Sequence, residues 1–263
     1  MMKVQFASDL HLELPANARW LAAGGLDVAG DVLLLGGDIA PLGMLGDPVV
    51  AGFLDWCDSH YRATWWVPGN HEYYGPGSPD VLTGTPLGWR CDVRPRVHLC
   101  NGVRVALGSD ADVLLATMWT PVRPENEQVV NEGMTDCSQV MCGGHLLRAA
   151  DYVQLHHAAL RWMEQELAGS DAKHKIVVTH HCPVLSEDPA YASNGLSDAF
   201  VADLAPMVAR CGAERWLFGH THYNAACGQQ VGGCTLLTNQ LGQLGPGGQP
   251  CLGFSPAMAF EVQ

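Results

Sequence analysis

Five short clusters of carboxylate, carboxamide and imidazole side chains punctuate the sequence. They are Asp9-Leu10-His11, Gly36-Gly37-Asp38, Gly69-Asn70-His71-Glu72, His180-His181 and Gly219-His220-Thr221-His222. Imidazole nitrogens combined with carboxylate oxygens suit Mn, Fe, Zn or Co, an oxygen-only shell would suit Mg or Ca, and no cysteine lies in the clusters. Singly, each has an ordinary explanation: a D-x-H arises by chance, a G-D marks a turn, and a lone buried histidine is more often a satisfied core residue. Each cluster, however, follows a short apolar run that reads as a strand, and in open α/β sheets ligands gather at strand ends. Five such coincidences in order point to metal binding. On an extended segment Asp9 and His11 would share a side through the period of two, as would His220 and His222, while His181 would turn away from His180. The glycines before Asp38, Asn70 and His220 would let the backbone turn sharply as each strand ends.

The elements that must position these residues are legible as short β-rich runs at 4–7, 32–35, 64–67, 103–107, 113–117, 176–179, 216–218, 235–237 and 257–262. Helical patterns fall at 48–59, 146–167 and 198–210. The pattern at 146–167 carries an apolar stripe of Ala150, Val153, Leu160 and Leu167. Strand and helix alternate as in a layered α/β domain. The segments 75–96, 120–144 and 242–253 read as irregular, and loops of that length in a compact domain tend to be functional. With no internal repeat and no linker, residues 1–263 are expected to form a single domain.

Hydrophobic residues make up 48% and charged residues 16%, the balance of a packed globule rather than a disordered chain. The formal charge of −13 opposes long-range attraction of polyanions, so duplex nucleic acid is not an expected partner. The apolar run before Asp9 is too short for a signal peptide and no later stretch is long enough to span a bilayer, so the protein reads as soluble and cytoplasmic, with no membrane partner. Ten scattered cysteines without a C-x-x-C pair read as reduced thiols, with Cys137 and Cys142 the one pair close enough for a local bridge.

The ordered series Asp9-x-His11, Gly37-Asp38, Gly69-Asn70-His71-Glu72, His180 and Gly219-His220-x-His222 resembles the motif set of the calcineurin-like metallophosphoesterases. That resemblance implies two packed mixed β-sheets flanked by helices, a four-layer sandwich. It also implies two divalent or trivalent transition-metal ions. Asp9, His11 and His222 would hold one, Asn70, His180 and His220 the other, and Asp38 would bridge them. His71 would face the substrate, so that His71, Asp38 and Asn70 form the catalytic set. A group of bacterial members is resembled more closely at residues 116–120, at Met134-Thr135-Asp136, and at Tyr191 and Ser197-Asp198. The chain departs from that group where Asn239-Gln240-Leu241-Gly242 stands in place of an expected Asn-Pro-Arg-Gly-Tyr.

Two cations roughly 3.5–4 Å apart can share a hydroxide, set it in line with a leaving oxygen and neutralise phosphoryl charge. The expected activity is therefore hydrolysis of a small phosphorylated substrate, with His71 binding the phosphate or protonating the leaving group. The alternatives are a nuclease or nucleotide phosphodiesterase, and a catalytically silent metal-stabilised interaction module. A substrate rim is expected around 119–145. Arg123 is its cation, either a bidentate clamp on substrate or an exposed charge paired with Glu125 or Glu127.

Overall fold

Two six-stranded sheets form the middle of the fold, and in each of them four parallel strands are bordered by an antiparallel strand at either edge. The computed structural model describes residues 1–185, 195–245 and 247–262. The chain runs through β1 (Met2–Ala7), α1 (Pro15–Ala22), β2 (Val32–Leu35), α2 (Pro48–His60), β3 (Ala63–Trp66), α3 (Val81–Gly84), β4 (Trp89–Arg94), β5 (Val97–Asn101), β6 (Val103–Leu107) and β7 (Ala111–Ala116). It continues through α4 (Glu127–Gly133), α5 (Asp136–Gln139), β8 (Met141–Cys142), β9 (His145–Leu146), α6 (Ala149–Ala168), β10 (His174–Thr179), α7 (Ala205–Val208), β11 (Arg215–Phe218), β12 (Gln230–Val231), β13 (Cys234–Thr238) and β14 (Ala259–Val262). One sheet is ordered β14-β1-β2-β3-β5-β4 and the other β12-β13-β11-β10-β7-β6.

The period of two along the central strands builds the layers. Val32 and Leu34 of β2 join Val4, Phe6, Val113, Leu115, Ile176 and Val178 in an apolar seam formed by both sheets. Leu33 and Leu35 face the opposite way and pack with Phe53, Leu54 and Cys57 of α2. On the far side Leu114, Val177, Trp216 and Phe218 pack with Ala159, Met163 and Leu167 of α6. This is the four-layer sandwich expected from the sequence. Truncating one of these large aliphatic side chains to alanine should cost about 2–5 kcal/mol.

Several expectations need correction. The stripe of α6 is centred one residue earlier than expected: the buried side chains are Ala149, Tyr152, His156, Ala159, Met163 and Leu167, whereas of the expected stripe only Leu167 is fully buried, Val153 and Leu160 are partly buried and Ala150 is exposed. A search for purely apolar residues misses it, because Tyr152 and His156 bury polar atoms that find partners in Asp136 and the Trp119 carbonyl. The helix expected at 198–210 is broken into a 3₁₀ turn at Leu196–Ala199 and the short α7. Between them Val201 forms a parallel bridge with Cys182, and Asp203 adopts a positive φ that no helix accommodates. The segment 75–96 contains α3 and the edge strand β4, and the fully buried β5 follows it unanticipated. The segment 120–144 is largely ordered as α4, α5 and β8, packed through Val130, Cys137 and Val140 against Trp119 and Tyr152. Cys137 and Cys142 are both free thiols, as are the other eight cysteines. Among the described residues, no helix is long and apolar enough to cross a membrane.

Candidate metal centre

The five clusters come together at the carboxyl ends of parallel strands β1, β2 and β3 of one sheet and β10 and β11 of the other. His11 Nε2 lies 2.9 Å from His222 Nε2 and 3.8 Å from Asp38 Oδ2, and His222 Nε2 lies 3.4 Å from Asp9 Oδ1. On the other side of Asp38, His180 Nε2 lies 3.4 Å from Asp38 Oδ1, 3.0 Å from Asn70 Oδ1 and 3.2 Å from His220 Nδ1. Asp38 thus has one oxygen toward each trio. Every candidate ligand read from the sequence falls in this cluster.

The backbone brings them there by a route that the alternation argument missed. Asp9, His11, Asp38, His220 and His222 all have left-handed backbones, with φ between 46° and 71°. They are five of the seven such non-glycine residues described, so these pairs converge by tight turning and not by extended pleating. The glycines also act differently from expectation. Gly37 does turn at φ 93°, but Gly69 and Gly219 are needed for close approach. A Cβ on Gly219 would stand 2.6 Å from Asp9 Oδ2, and one on Gly69 would collide with the Asp38 carboxylate and the His180 ring.

Two carboxylates outside the ligand set, the buried Glu72 and the partly buried Glu13, hold this geometry. Glu72 takes the backbone N–H groups of Asp38 (2.9 Å), Ile39 (2.7 Å) and Gly69 (2.6 Å) and the indole N–H of Trp66 (3.1 Å), tying the ends of β2 and β3 together. Glu13 Oε1 accepts from Nδ1 of both His11 (3.0 Å) and His71 (2.9 Å), which turns both Nε2 atoms toward the cluster. The sequence reading gave neither residue a role, although Glu13 completes an Asp-x-His-x-Glu spacing and Glu72 stands in its motif. His71 lies at the mouth, Nε2 4.0 Å from Asp38 Oδ2, with its ring stacked on Tyr74 at 4.2 Å. His181 is buried behind the cluster, Nδ1 against the Thr117 carbonyl and its ring 4.4 Å from that of His220.

The electrostatics suit cations. Burial pushes the Asp9 and Asp38 carboxyls up, but the surrounding imidazoles outweigh it and hold both below the usual range, Asp38 well below. Burial, reinforced by His180, drives His181 down to about 3, and burial with His181 and His180 drives His220 well down, so both rings are neutral. Burial also pulls His71 down, but Asp38 and the Glu13 hydrogen bond outweigh it and lift the ring to about 9. His180 is lifted to about 10 by Asp38 and Asp9 against its burial. Its Nδ1 donates to the Gly36 carbonyl at 2.8 Å, so a proton or a cation must answer the acceptors facing Nε2, and a metal would displace the proton. The buried Asp9 Oδ2 and His220 Nε2 have no hydrogen-bond partner among the described residues. Converging acceptors and a mixed N/O donor set fit transition-metal ions.

Arg123 is exposed and within ion-pair reach of Glu125, as one expectation had it, but its main partner is Asp198. Its guanidinium clasps Asp198 with Nε and Nη2 at 2.8–3.1 Å and its own N–H donates to the same carboxylate, while Glu125 stands 3.9 Å away. Asp198, adjacent in the fold, competes better than the solvent-exposed glutamates. Tyr191 lies outside the described residues. Leu241, where the related group carries arginine, is buried in the apolar layer beside α2.

A two-sheet sandwich carrying this ligand set at its strand ends defines a metal-dependent phosphoesterase. The chain belongs to the calcineurin-like phosphoesterase family, whose model matches residues 2–224. An uncharacterised protein of Acanthamoeba polyphaga mimivirus is 26% identical over 274 residues, 92% of this chain and 91% of that protein. Among solved structures, a phosphopantetheinyl hydrolase from Mycobacterium tuberculosis superposes with a TM-score of 0.67 at 17% identity, over 91% of this chain and 89% of that one. GAP50, described as the anchor in the inner membrane complex of Plasmodium, gives a TM-score of 0.50 at 14% identity, over 94% and 74%. At these identities the structural likenesses speak for the fold.

Proposed function

We propose that this phosphoesterase works with two metal ions, one held by Asp9, His11 and His222 and the other by Asn70, His180 and His220, bridged by Asp38. The observation that carries the reading is the Asp38 carboxylate, with its two oxygens turned to opposite trios. The chemistry supplied by two bound cations is activation of water at neutral pH and neutralisation of phosphoryl charge. His71, held by Glu13 with Nε2 facing the cluster, donates to a phosphoryl or leaving-group oxygen, a role that suits a ring lifted to about 9. The substrate is a small phosphorylated molecule, since the charge of −13 opposes a long polyanion. The segment 119–145 packs beside the centre, where Asp136 meets Asn70 and Tyr74, a placement consistent with a substrate rim.

The test is elemental analysis of protein reconstituted with Mn, followed by a panel of phosphate monoesters and diesters. The fold neighbour from Mycobacterium tuberculosis is a phosphopantetheinyl hydrolase, so a phosphopantetheinyl ester belongs in that panel. Two ions per chain with turnover of at least one ester is the expected result. Fewer than two ions would defeat the dinuclear reading, and two ions without turnover on any ester would favour a silent module.

A further inference from the structure

A carboxamide ligand presents a choice that a carboxylate does not, because its oxygen can bind a metal and its NH₂ cannot. Asn70 therefore needs something to hold its amide the right way round. Asp136, the first residue of α5, is completely buried and accepts from Asn70 Nδ2 at 2.8 Å. The opposite face of the amide places Oδ1 3.0 Å from His180 Nε2. We propose that Asp136 is the positioning residue that orients the Asn70 carboxamide, turning its oxygen into the metal centre.

The chemistry of the contact allows one arrangement. A carboxylate accepts and never donates, so turning the amide over would set oxygen against oxygen inside the protein. The carboxylate is itself held by two phenols: Tyr74 donates to Oδ1 and Tyr152, from α6, to Oδ2. Both phenols donate and the carboxylate accepts, so neither Asp136 oxygen is left without a donor. Tyr74 Oη is also 3.2 Å from Asn70 Nδ2 while its ring stacks on His71, so the same network abuts two site residues. Asp136 lies within the 119–145 segment, which thereby acquires a task separate from choosing substrate.

The inference rests on Asn70 being a ligand, and the experiment keeps the two ideas apart. Mn affinity is measured by titration for the wild type, Asp136→Asn, the exchanged pair Asn70→Asp/Asp136→Asn and His180→Ala. An amide at 136 can face Asn70 with either end, so Asp136→Asn should bind one ion 10–100-fold more weakly, the usual scale for a group that orients a ligand, and keep the other unchanged. The exchanged pair restores a donor facing an acceptor with an oxygen at the metal, and should regain most of the loss. Wild-type affinity in Asp136→Asn overturns the proposal, as does an exchanged pair no better than the single variant. If Asp136→Asn does not fold, the exchanged pair decides alone, two tightly bound ions supporting the proposal and one overturning it. His180→Ala retaining both ions would instead overturn the metal-centre reading.

Discussion

The two halves of the centre sit in different solvent environments. His180, Asn70 and His220 are buried, backed by His181 and Phe200 and closed on one side by Asp136. In the other half Asp9 and His11 are buried, but the His222 side chain is 27% exposed and adjoins the mouth where His71 is 20% exposed. Weak solvent screening strengthens attraction between ligand and cation, whereas an open edge admits substrate. On the proposed two-metal reading, the buried half would retain its ion and the open half would work at the entrance. Both depend on one carboxylate.

Removing that carboxylate should have the largest effect: Asp38→Ala should leave bound metal well below two per chain by elemental analysis and abolish turnover. Two tightly held ions in that variant would sink the bridging role. Next, His71→Ala should keep both ions and lose about 10²–10⁴-fold in turnover, the scale of a general acid–base group. Unchanged turnover would remove His71 from the reaction. The contrast between halves is sharpened by chelation: on dilution into EDTA one ion should leave well before the other, and His222→Ala should abolish the fast phase alone. Simultaneous release of both ions would erase the distinction.

The smallest effect concerns the clasp beyond the centre. Arg123→Ala should slightly lower Tm, by the ~1 kcal/mol or less of an exposed ion pair, and leave kinetics on a small aryl phosphate unchanged. Selective loss of kcat/KM on the natural substrate would show that the guanidinium leaves Asp198 to bind it. Burial pushes the Asp198 carboxyl up, but hydrogen bonds from Arg123 and Asn126 outweigh it and hold it below its usual value. Its folded pKa is therefore below its unfolded one, and its stabilisation is present above about pH 4 and lost as pH falls through the folded value. Asp198→Asn should flatten that part of the acid limb in a Tm-against-pH series, and superimposable limbs would show that the clasp is energetically idle.

The candidate cluster and the central strands were legible because each pairs a local signal with a local cause: a short apolar run, then a metal-competent residue. The groups that hold the ligands were less so. Glu13 meets His71 across 58 positions and Asp136 meets Asn70 across 66, distances over which no periodicity speaks. Strand β4 is an edge strand with largely exposed side chains, so neither alternation nor an apolar run betrays it. The stripe of α6 was misplaced because its polar members earn burial through partners on other elements. Arg123 was weighed between substrate and its sequence neighbours, and Asp198 was not among the candidates because it is close only after folding.

The left-handed backbones at Asp9, His11, Asp38, His220 and His222 carry an evolutionary consequence. A side chain in that region costs up to about 1 kcal/mol, and least for types such as Asp and His that tolerate it best, so five of them together tax the metal-free fold by at most a few kcal/mol. Glycine relieves the tax at any of these positions while deleting a ligand. A lineage released from catalysis would thus gain stability by drifting toward glycine at these five positions.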